Sequence, residues 1–442
     1  MTTTFALALL LQVITIAMLR HRLGRTWLRR PVTVLVLDAA VYDGVTQVML
    51  LSPSLAAQDS YRLGVASQFH DSATLLLAGC MLAFTVAYLL TRPERSEPGS
   101  GEAGRQELAR ALDWRLLSAA ALPLAVLTYS GKGYNGDYAQ GPETALGSSL
   151  AVSFLLLLVT MAAAGLVLRH GARWALPALL VQSAVLAAAG ERTPVVACGI
   201  ALVLVLALAG VRMPRAQLTA GAVLVGVAVL AITGSRTTQG RNLYYADSGA
   251  GARVSALASG VSAAGASGSL AAQAATRLDG VSFTAAVLQA RATGYPLLPA
   301  QDVPGSLLEA VPSVIWSGKL GHAADLAPAQ LAIDDDDLQQ TNYLPGLIGT
   351  YVGFLSVPWL VALLALLGWL AGVGERRLLA RCTPGRLVML AGAAQAALLF
   401  DAGLPAMVVT LRSAVVLAVA VTVFAAVRGR RAGRMPVPLR SS

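Results

Sequence analysis

The chain has 442 residues, of which 56% are hydrophobic and only 13% are charged, and its formal net charge is +10. One soluble core cannot bury so large an apolar fraction, which excludes an ordinary water-soluble domain. The mean hydropathy of +0.66 indicates that lipid surrounds most of the chain. We expect an all-α, polytopic integral membrane protein, because a helix satisfies its own backbone hydrogen bonds in hydrocarbon.

Eleven apolar runs approach the length of a membrane span. They lie at 3–19, 32–51, 72–91, 116–130, 145–168, 174–190, 194–211, 217–234, 345–372, 387–404 and 406–427. The first run lacks the basic start and the small-residue cleavage site of a signal peptide, so we predict that it is a retained helix. The pattern predicts about eleven transmembrane helices.

These runs divide the chain into three parts. Residues 1–234 carry spans 1 to 8 and a cytoplasmic linker at 92–115, residues 235–344 form a long segment between spans 8 and 9, and residues 345–442 carry spans 9 to 11 and a basic tail. Two amphipathic patterns within the long segment, at 273–292 and 305–317, predict helices that lie at the membrane surface and cap a cavity.

Arginine collects in every second connection between the apolar runs, and again in the tail after residue 427. Basic loops stay in the cytoplasm, so we predict an outside N-terminus, a cytoplasmic C-terminus and an extracytoplasmic segment at 235–344. The high arginine and alanine content favours a bacterial source, and hence the bacterial cytoplasmic membrane. The net positive charge then reflects topology, with membrane lipid headgroups as its partner. It does not imply nucleic-acid binding.

One cation on the outer side lies in the tight turn Gly190-Glu191-Arg192-Thr193-Pro194, between two apolar runs. The guanidinium of Arg192 can hold a lipid diphosphate through two hydrogen bonds. The alternative is that Arg192 anchors the turn at the headgroups or pairs with Glu191.

Other charges lie inside the apolar runs, where they need a partner or a function. Arg412 in the last run and Asp401 flank the outer hairpin, and they can pair with each other or contact a substrate. Asp38 and Asp43 lie in the second run, where we expect them to face a polar interior.

The long outer segment contains further candidate side chains. Arg277 can neutralise a phosphate, and Asp279 can orient it or accept a proton from a sugar hydroxyl; a surface ion pair is the alternative. Trp316 offers an apolar face on which a sugar can stack, and Lys319 can contact a diphosphate. His322 titrates near neutral pH and is a candidate general base, although an exposed histidine is the simpler interpretation.

The sequence offers little support for a metal or a nucleotide. Four consecutive aspartates at 334–337 point in different directions and lack the spacing of a calcium loop, so a solvated acidic run is the preferred interpretation. No nucleotide-binding, zinc-protease or serine-hydrolase motif is present. We therefore predict no cofactor and no metal site.

In layout, residues 174–372 resemble the bacterial O-antigen polymerase and O-antigen ligase superfamily. The resemblance rests on the outward turn with Arg192, the long outer segment with Arg277-Leu278-Asp279 and the stretch from Pro312 to Lys319, and the run Asn342-Tyr343-Leu344-Pro345-Gly346 that leads back into the membrane.

This resemblance implies a metal-independent glycosyltransferase. It would transfer a glycan from a polyprenyl-diphosphate-linked oligosaccharide onto an acceptor sugar hydroxyl, at the outer face of the membrane. Arg192 and Arg277 would hold the diphosphate with help from Lys319, and His322 would match the histidine that the ligases use. Other polysaccharide assembly proteins would be its partners.

Two other functions stay open. A GT-C-type glycosyltransferase acting on a polyprenyl-phosphate sugar would use a carboxylate in its first outer loop, such as Asp59 or Asp71. A transporter or flippase of lipid-linked glycan would instead line its path with charges inside the apolar runs.

Overall fold

The fold is known from a computed structural model. It describes residues 2–45, 47–48, 51–56, 64–91, 102–129, 142–187, 192–245, 255, 280–294, 311, 346–400 and 404–432. The regular structure of these residues is helical, and no strand occurs among them. The prediction of an all-α fold is confirmed.

The helices are numbered here in chain order. They are α1 (Thr2–Leu23), α2 (Pro31–Ala40), α3 (Ser67–Leu90), α4 (Glu102–Ala111), α5 (Trp114–Tyr129), α6 (Pro142–His170), α7 (Ala175–Ala187), α8 (Arg192–Leu208), α9 (Arg215–Tyr245), α10 (Gly280–Ala292), α11 (Gly346–Val352), α12 (Val357–Leu379), α13 (Pro384–Ala397) and α14 (Leu404–Ala432). A π-helical turn, Val41–Val45, follows α2 directly.

Six helical stretches are long and apolar enough to cross a membrane. They are Thr3–Arg29, Ser67–Leu90, Ser153–His170, Arg215–Ile232, Val357–Leu379 and Met407–Arg428, and the apolar helices Ala172–Leu186 and Thr193–Leu208 are shorter. A helical membrane protein with several spanning segments is thus confirmed, whereas the number eleven stays a prediction.

The helices form two bundles that contact each other. The first bundle packs α1, α2, α10, α11 and α12 around α3, and the second packs α4, α5, α7, α8, α13 and α14 around α6. Helix α9 lies against α7 and α8. Helix α2 also contacts α13, which joins the two bundles.

Glycines allow α12 to approach α3 closely. The buried side of α12 carries Leu364, Gly368, Gly372 and Glu375 at helical spacing. A Cβ atom at Gly368 would overlap the carbonyl oxygen of Phe84, and one at Gly372 would overlap the side chain of the threonine that follows α3. Small residues four positions apart permit such contacts between membrane helices.

The helix bounds differ from the apolar runs in two places. The run 345–372 is not one span, because α11 ends at Val352 and Pro358 begins a new helix, where its missing N–H costs no hydrogen bond. Part of the linker 92–115 is helical, since α4 packs on α6 through the buried side chains of Leu108 and Leu112.

Helix α10 also departs from its predicted pattern. The amphipathic pattern at 273–292 predicts one apolar face at the membrane surface, but every residue from Gly280 to Ala285 is buried. The helix packs on α3, α11 and the π turn. The second pattern, 305–317, lies outside the described residues apart from Val311.

Several contacts bring the basic connections to one end of the molecule. Arg30, before α2, pairs with Glu375 near the end of α12, and Arg428 near the end of α14 pairs with Asp113 before α5. We call this end the basic end. His70, in the first turn of α3, lies about 27 Å along the helix from Tyr88, a partner of Glu375. The first turn of α3 therefore marks the opposite end.

Candidate functional site

A polar cluster lies buried at the end of the first bundle opposite the basic end. His70, in the first turn of α3, places its Nε2 atom 3.3 Å from the Oγ atom of Ser282 on α10. Asp43 lies in the π turn after α2 and faces the start of α10, because a Cβ atom at Gly280 would lie 3.2 Å from its Oδ1 atom. We call Asp43, His70 and Ser282 the opposite-end cluster.

The cluster is almost inaccessible. His70 and Asp43 are each 4% exposed and Ser282 is fully buried. Its neighbours on α10, Val281 and Phe283, are fully buried apolar residues. Burying polar and charged groups in such surroundings is unfavourable unless they are hydrogen-bonded, so groups of this kind in a membrane bundle indicate a function.

The geometry brings an imidazole, a hydroxyl and a carboxylate to one turn of α10. Gly280, which faces Asp43, and Ser282, which contacts His70, are two residues apart. A neutral imidazole can donate to a hydroxyl or accept from it, depending on its tautomer. The arrangement can therefore accept a proton from an alcohol and return it, which is general acid–base chemistry.

Two contacts fix α10 over this cluster. The Oε1 atom of Gln289 accepts a hydrogen bond of 2.8 Å from the backbone N–H of Ala66, just before α3. Arg291 donates from Nη1 to the carbonyl oxygens of Val352, at 2.8 Å, and Leu355, at 3.3 Å. Partial burial lowers the pKa of Arg291. Through these two hydrogen bonds Arg291 caps the end of α11.

Most of the predicted site residues lie outside the described residues. These are Arg277, Asp279, Trp316, Lys319 and His322, together with Asp59, Asp401 and the aspartates at 334–337.

Besides Asp43, four of the predicted residues can be placed. Arg192 is the first residue of α8, although its side chain lies outside the description. Arg412 is half-buried in α14, and Asp38 is half-buried in α2. Asp71, the carboxylate candidate of the GT-C alternative, is half-buried directly after His70.

The sequence analysis missed His70 and Ser282. The signal for His70 was its position beside Asp71, immediately before the third apolar run. Ser282 carried no signal, because a single serine in a pattern of alanines and valines is ordinary. The sequence identified Asp43 as a carboxylate within an apolar run, but it did not indicate which residues contact Asp43 in the fold.

A second buried polar group lies at the basic end. Arg30 Nη1 and Glu375 Oε1 are 2.9 Å apart, and the hydroxyl of Tyr88 donates to the same oxygen at 2.8 Å. The group links the start of α2 to α3 and α12. We call Arg30, Tyr88 and Glu375 the clamp. The sequence analysis assigned Arg30 to topology alone and did not single out Glu375.

Within the described part of the chain, no group of three or more histidine, cysteine, aspartate or glutamate side chains is placed to hold a metal ion. Comparison with models of protein families, with curated proteins and with solved structures finds no match for this chain.

Proposed function

We propose that the protein is a polysaccharide polymerase of the bacterial cytoplasmic membrane, a metal-independent glycosyltransferase that joins oligosaccharide repeat units carried on polyprenyl diphosphate. In this proposal about eleven helices span the membrane, the basic end faces the cytoplasm, and residues 235–344 lie outside. The N-terminus is outside and the C-terminus is cytoplasmic.

The opposite-end cluster is the observation that carries the proposal. His70 and Asp43 are buried beside a serine in an apolar bundle, and ionisable groups at such positions in a membrane protein often have a function. Helix α10, which covers the cluster, belongs to the long segment 235–344, and Arg277 and Asp279 directly precede it in the sequence. The outward charges thus directly precede the helix that covers the buried acid–base pair.

The proposed reaction is a displacement at the anomeric carbon of the donor sugar. The bond from that carbon to the diphosphate oxygen breaks, the acceptor hydroxyl oxygen forms the new bond, and a base takes the hydroxyl proton. The lipid diphosphate leaves as an anion, which positioned cations stabilise. We propose that the cations stabilising this leaving group are Arg192, Arg277, Lys319 and Arg412.

Two histidines are candidates for the base, His322 from the outer segment and His70 from the opposite-end cluster. His70 has the stronger structural support, because its ring nitrogen already contacts a hydroxyl group. The polyprenyl tail would lie in the lipid along apolar helices, which explains why an enzyme for polar sugars is mostly apolar.

The test is the length distribution of glycan in cells that lack the protein and carry variants of it. We expect His70→Gln, Asp43→Asn and Ser282→Ala to shorten the polymer, and lipid-linked single repeat units to accumulate. His170→Gln is the matched control, since His170 is exposed and is the last residue of α6, directly after Arg169. Normal polymer with all three variants at normal protein levels would refute the proposal.

The half-buried position of Asp71 beside His70 favours one second candidate, the GT-C-type glycosyltransferase. In that case Asp71→Asn abolishes activity and His70→Gln does not. A flippase gives a third outcome, in which repeat units accumulate on the inner leaflet when the protein is absent.

A further inference from the structure

A second polar network lies buried in the other bundle. It joins Thr160 of α6, Gln182 of α7, Cys198 of α8 and Gln395 of α13, and none of these residues is more than 2% exposed. No charged side chain takes part in its described hydrogen bonds. We call these four residues the glutamine network.

The hydrogen bonds determine the orientation of the Gln395 amide. Gln395 Nε2 donates to Thr160 Oγ1 at 3.1 Å and to the Leu156 carbonyl oxygen at 3.3 Å. Gln182 Nε2 also approaches Thr160 Oγ1, at 3.5 Å. Because the Leu156 carbonyl can only accept, turning the Gln395 amide over would place two acceptor oxygens against each other. The nitrogen therefore faces α6.

Two oxygens of the network have no hydrogen-bond partner among the described residues. They are Gln182 Oε1 and Gln395 Oε1, and both are fully shielded. A buried acceptor that stays unsatisfied destabilises a fold by about 1–3 kcal/mol, so such atoms in natural proteins are nearly always paired. Two of them in one network indicate that a hydrogen-bond donor binds there.

The chemistry of the network selects the donor. An anion would be repelled by the amide oxygens, and a cation would lack a counter-charge in apolar surroundings. An apolar ligand would leave the oxygens unpaired. A small neutral molecule with O–H groups has none of these three disadvantages. Buried water is such a molecule, and it normally makes about three hydrogen bonds.

The site also lies near one end of its helices. Cys198 follows the first residue of α8 by six positions, or about 9 Å along the helix axis. Gln182 lies in the last two turns of α7. The network therefore lies toward the end of α7 and the start of α8.

We propose that the glutamine network binds water, forming a hydrated polar site inside the second bundle near the end of α7 and the start of α8. The bound water donates to the amide oxygens of Gln182 and Gln395 and exchanges with the solvent. This inference does not depend on the proposed function.

The first test uses the thiol of Cys198 as a reporter. In a protein with Cys80→Ala and Cys382→Ala, Cys198 is the remaining cysteine, and infrared spectroscopy follows exchange of its S–H proton in D₂O. The control carries Cys198→Ala and Ala201→Cys instead, which moves the thiol by about one turn to a fully buried position in the apolar core. We expect the Cys198 thiol to exchange at least tenfold faster, and equal rates would overturn the proposal.

The second test asks whether removing the Gln182 amide lowers or raises Tm. Gln182→Met removes the amide but keeps the approximate shape, and Leu186→Met on the same helix is the control for methionine. If water satisfies the Gln182 oxygen, the substitution lowers Tm by several degrees relative to that control. If the oxygen is unsatisfied, removing it leaves Tm unchanged or raises it, which would also overturn the proposal.

Discussion

The clamp at the basic end allows a quantitative prediction about stability. The side chains of Arg30 and Glu375 are 3% and 4% exposed, and their charged atoms are 2.9 Å apart. At an effective dielectric constant of about 20, two unit charges at that distance attract by about 6 kcal/mol. Removing both charges from water costs several kcal/mol per ion, so the pair contributes little net stability.

Removing one partner has a different effect. Glu375→Met leaves the guanidinium of Arg30 buried without its counter-charge, and we expect the free energy of unfolding to fall by about 3–5 kcal/mol. The double variant Arg30→Met with Glu375→Met leaves no buried charge, and its loss should be within about 1 kcal/mol of wild type. The coupling energy from this double-mutant cycle should therefore be several kcal/mol.

The assay is unfolding of the purified protein in mild detergent, followed for the wild type, both single variants and the double variant. Arg376→Met is the matched control, because Arg376 follows Glu375 directly and is exposed. We expect the control to change stability by less than about 0.5 kcal/mol. A loss below about 1 kcal/mol in Glu375→Met, or additive losses in the double variant, would refute the reasoning.

Three further predictions concern packing and surface charge. Gly368→Ala should weaken the contact between α3 and α12 and lower Tm, while Gly374→Ala, with no atom within 4 Å of the added Cβ, should leave Tm unchanged or raise it slightly. Arg291→Met should cost about 1.5–3 kcal/mol, because it removes the charged donor that caps α11, and Arg291→Lys should recover part of the loss in the same unfolding assay. Partial burial by itself raises the pKa of Asp113, but hydrogen bonds from Arg428 and from a backbone N–H hold it below its usual value. The stabilisation from this exposed pair should be at most about 1 kcal/mol at neutral pH and should disappear as the pH falls through the lowered pKa, so Asp113→Asn and wild type should converge in acid. Equal Tm differences at neutral and acid pH would contradict this.

The sequence by itself determined the class of protein. Hydropathy is a local property, and a run such as 72–91 is apolar whatever its neighbours do, so the helix Ser67–Leu90 could be predicted with an error of a few residues. The alternation of basic loops is equally local. It predicts which helix ends lie on the same side, and the pairs Arg30–Glu375 and Arg428–Asp113 agree with it.

Breaks within long apolar runs were harder to predict. The separation of α11 from α12 depends on Pro358, which was visible, but a proline inside a membrane span is also tolerated where neighbouring groups satisfy the backbone. Only the structure shows that the chain ends one helix at Val352 and begins another at Val357. The helical part of the 92–115 linker likewise depends on its packing against α6.

The tertiary structure alone decided which polar residues meet. His70 and Ser282 are 212 positions apart, and Thr160 and Gln395 are 235 apart. The local sequence around a single histidine, serine or glutamine does not indicate whether its side chain faces lipid, a neighbouring helix or a cavity. The rotation of each helix is set by its contacts along its whole length, such as the glycine face of α12, and no local pattern in the sequence contains that information.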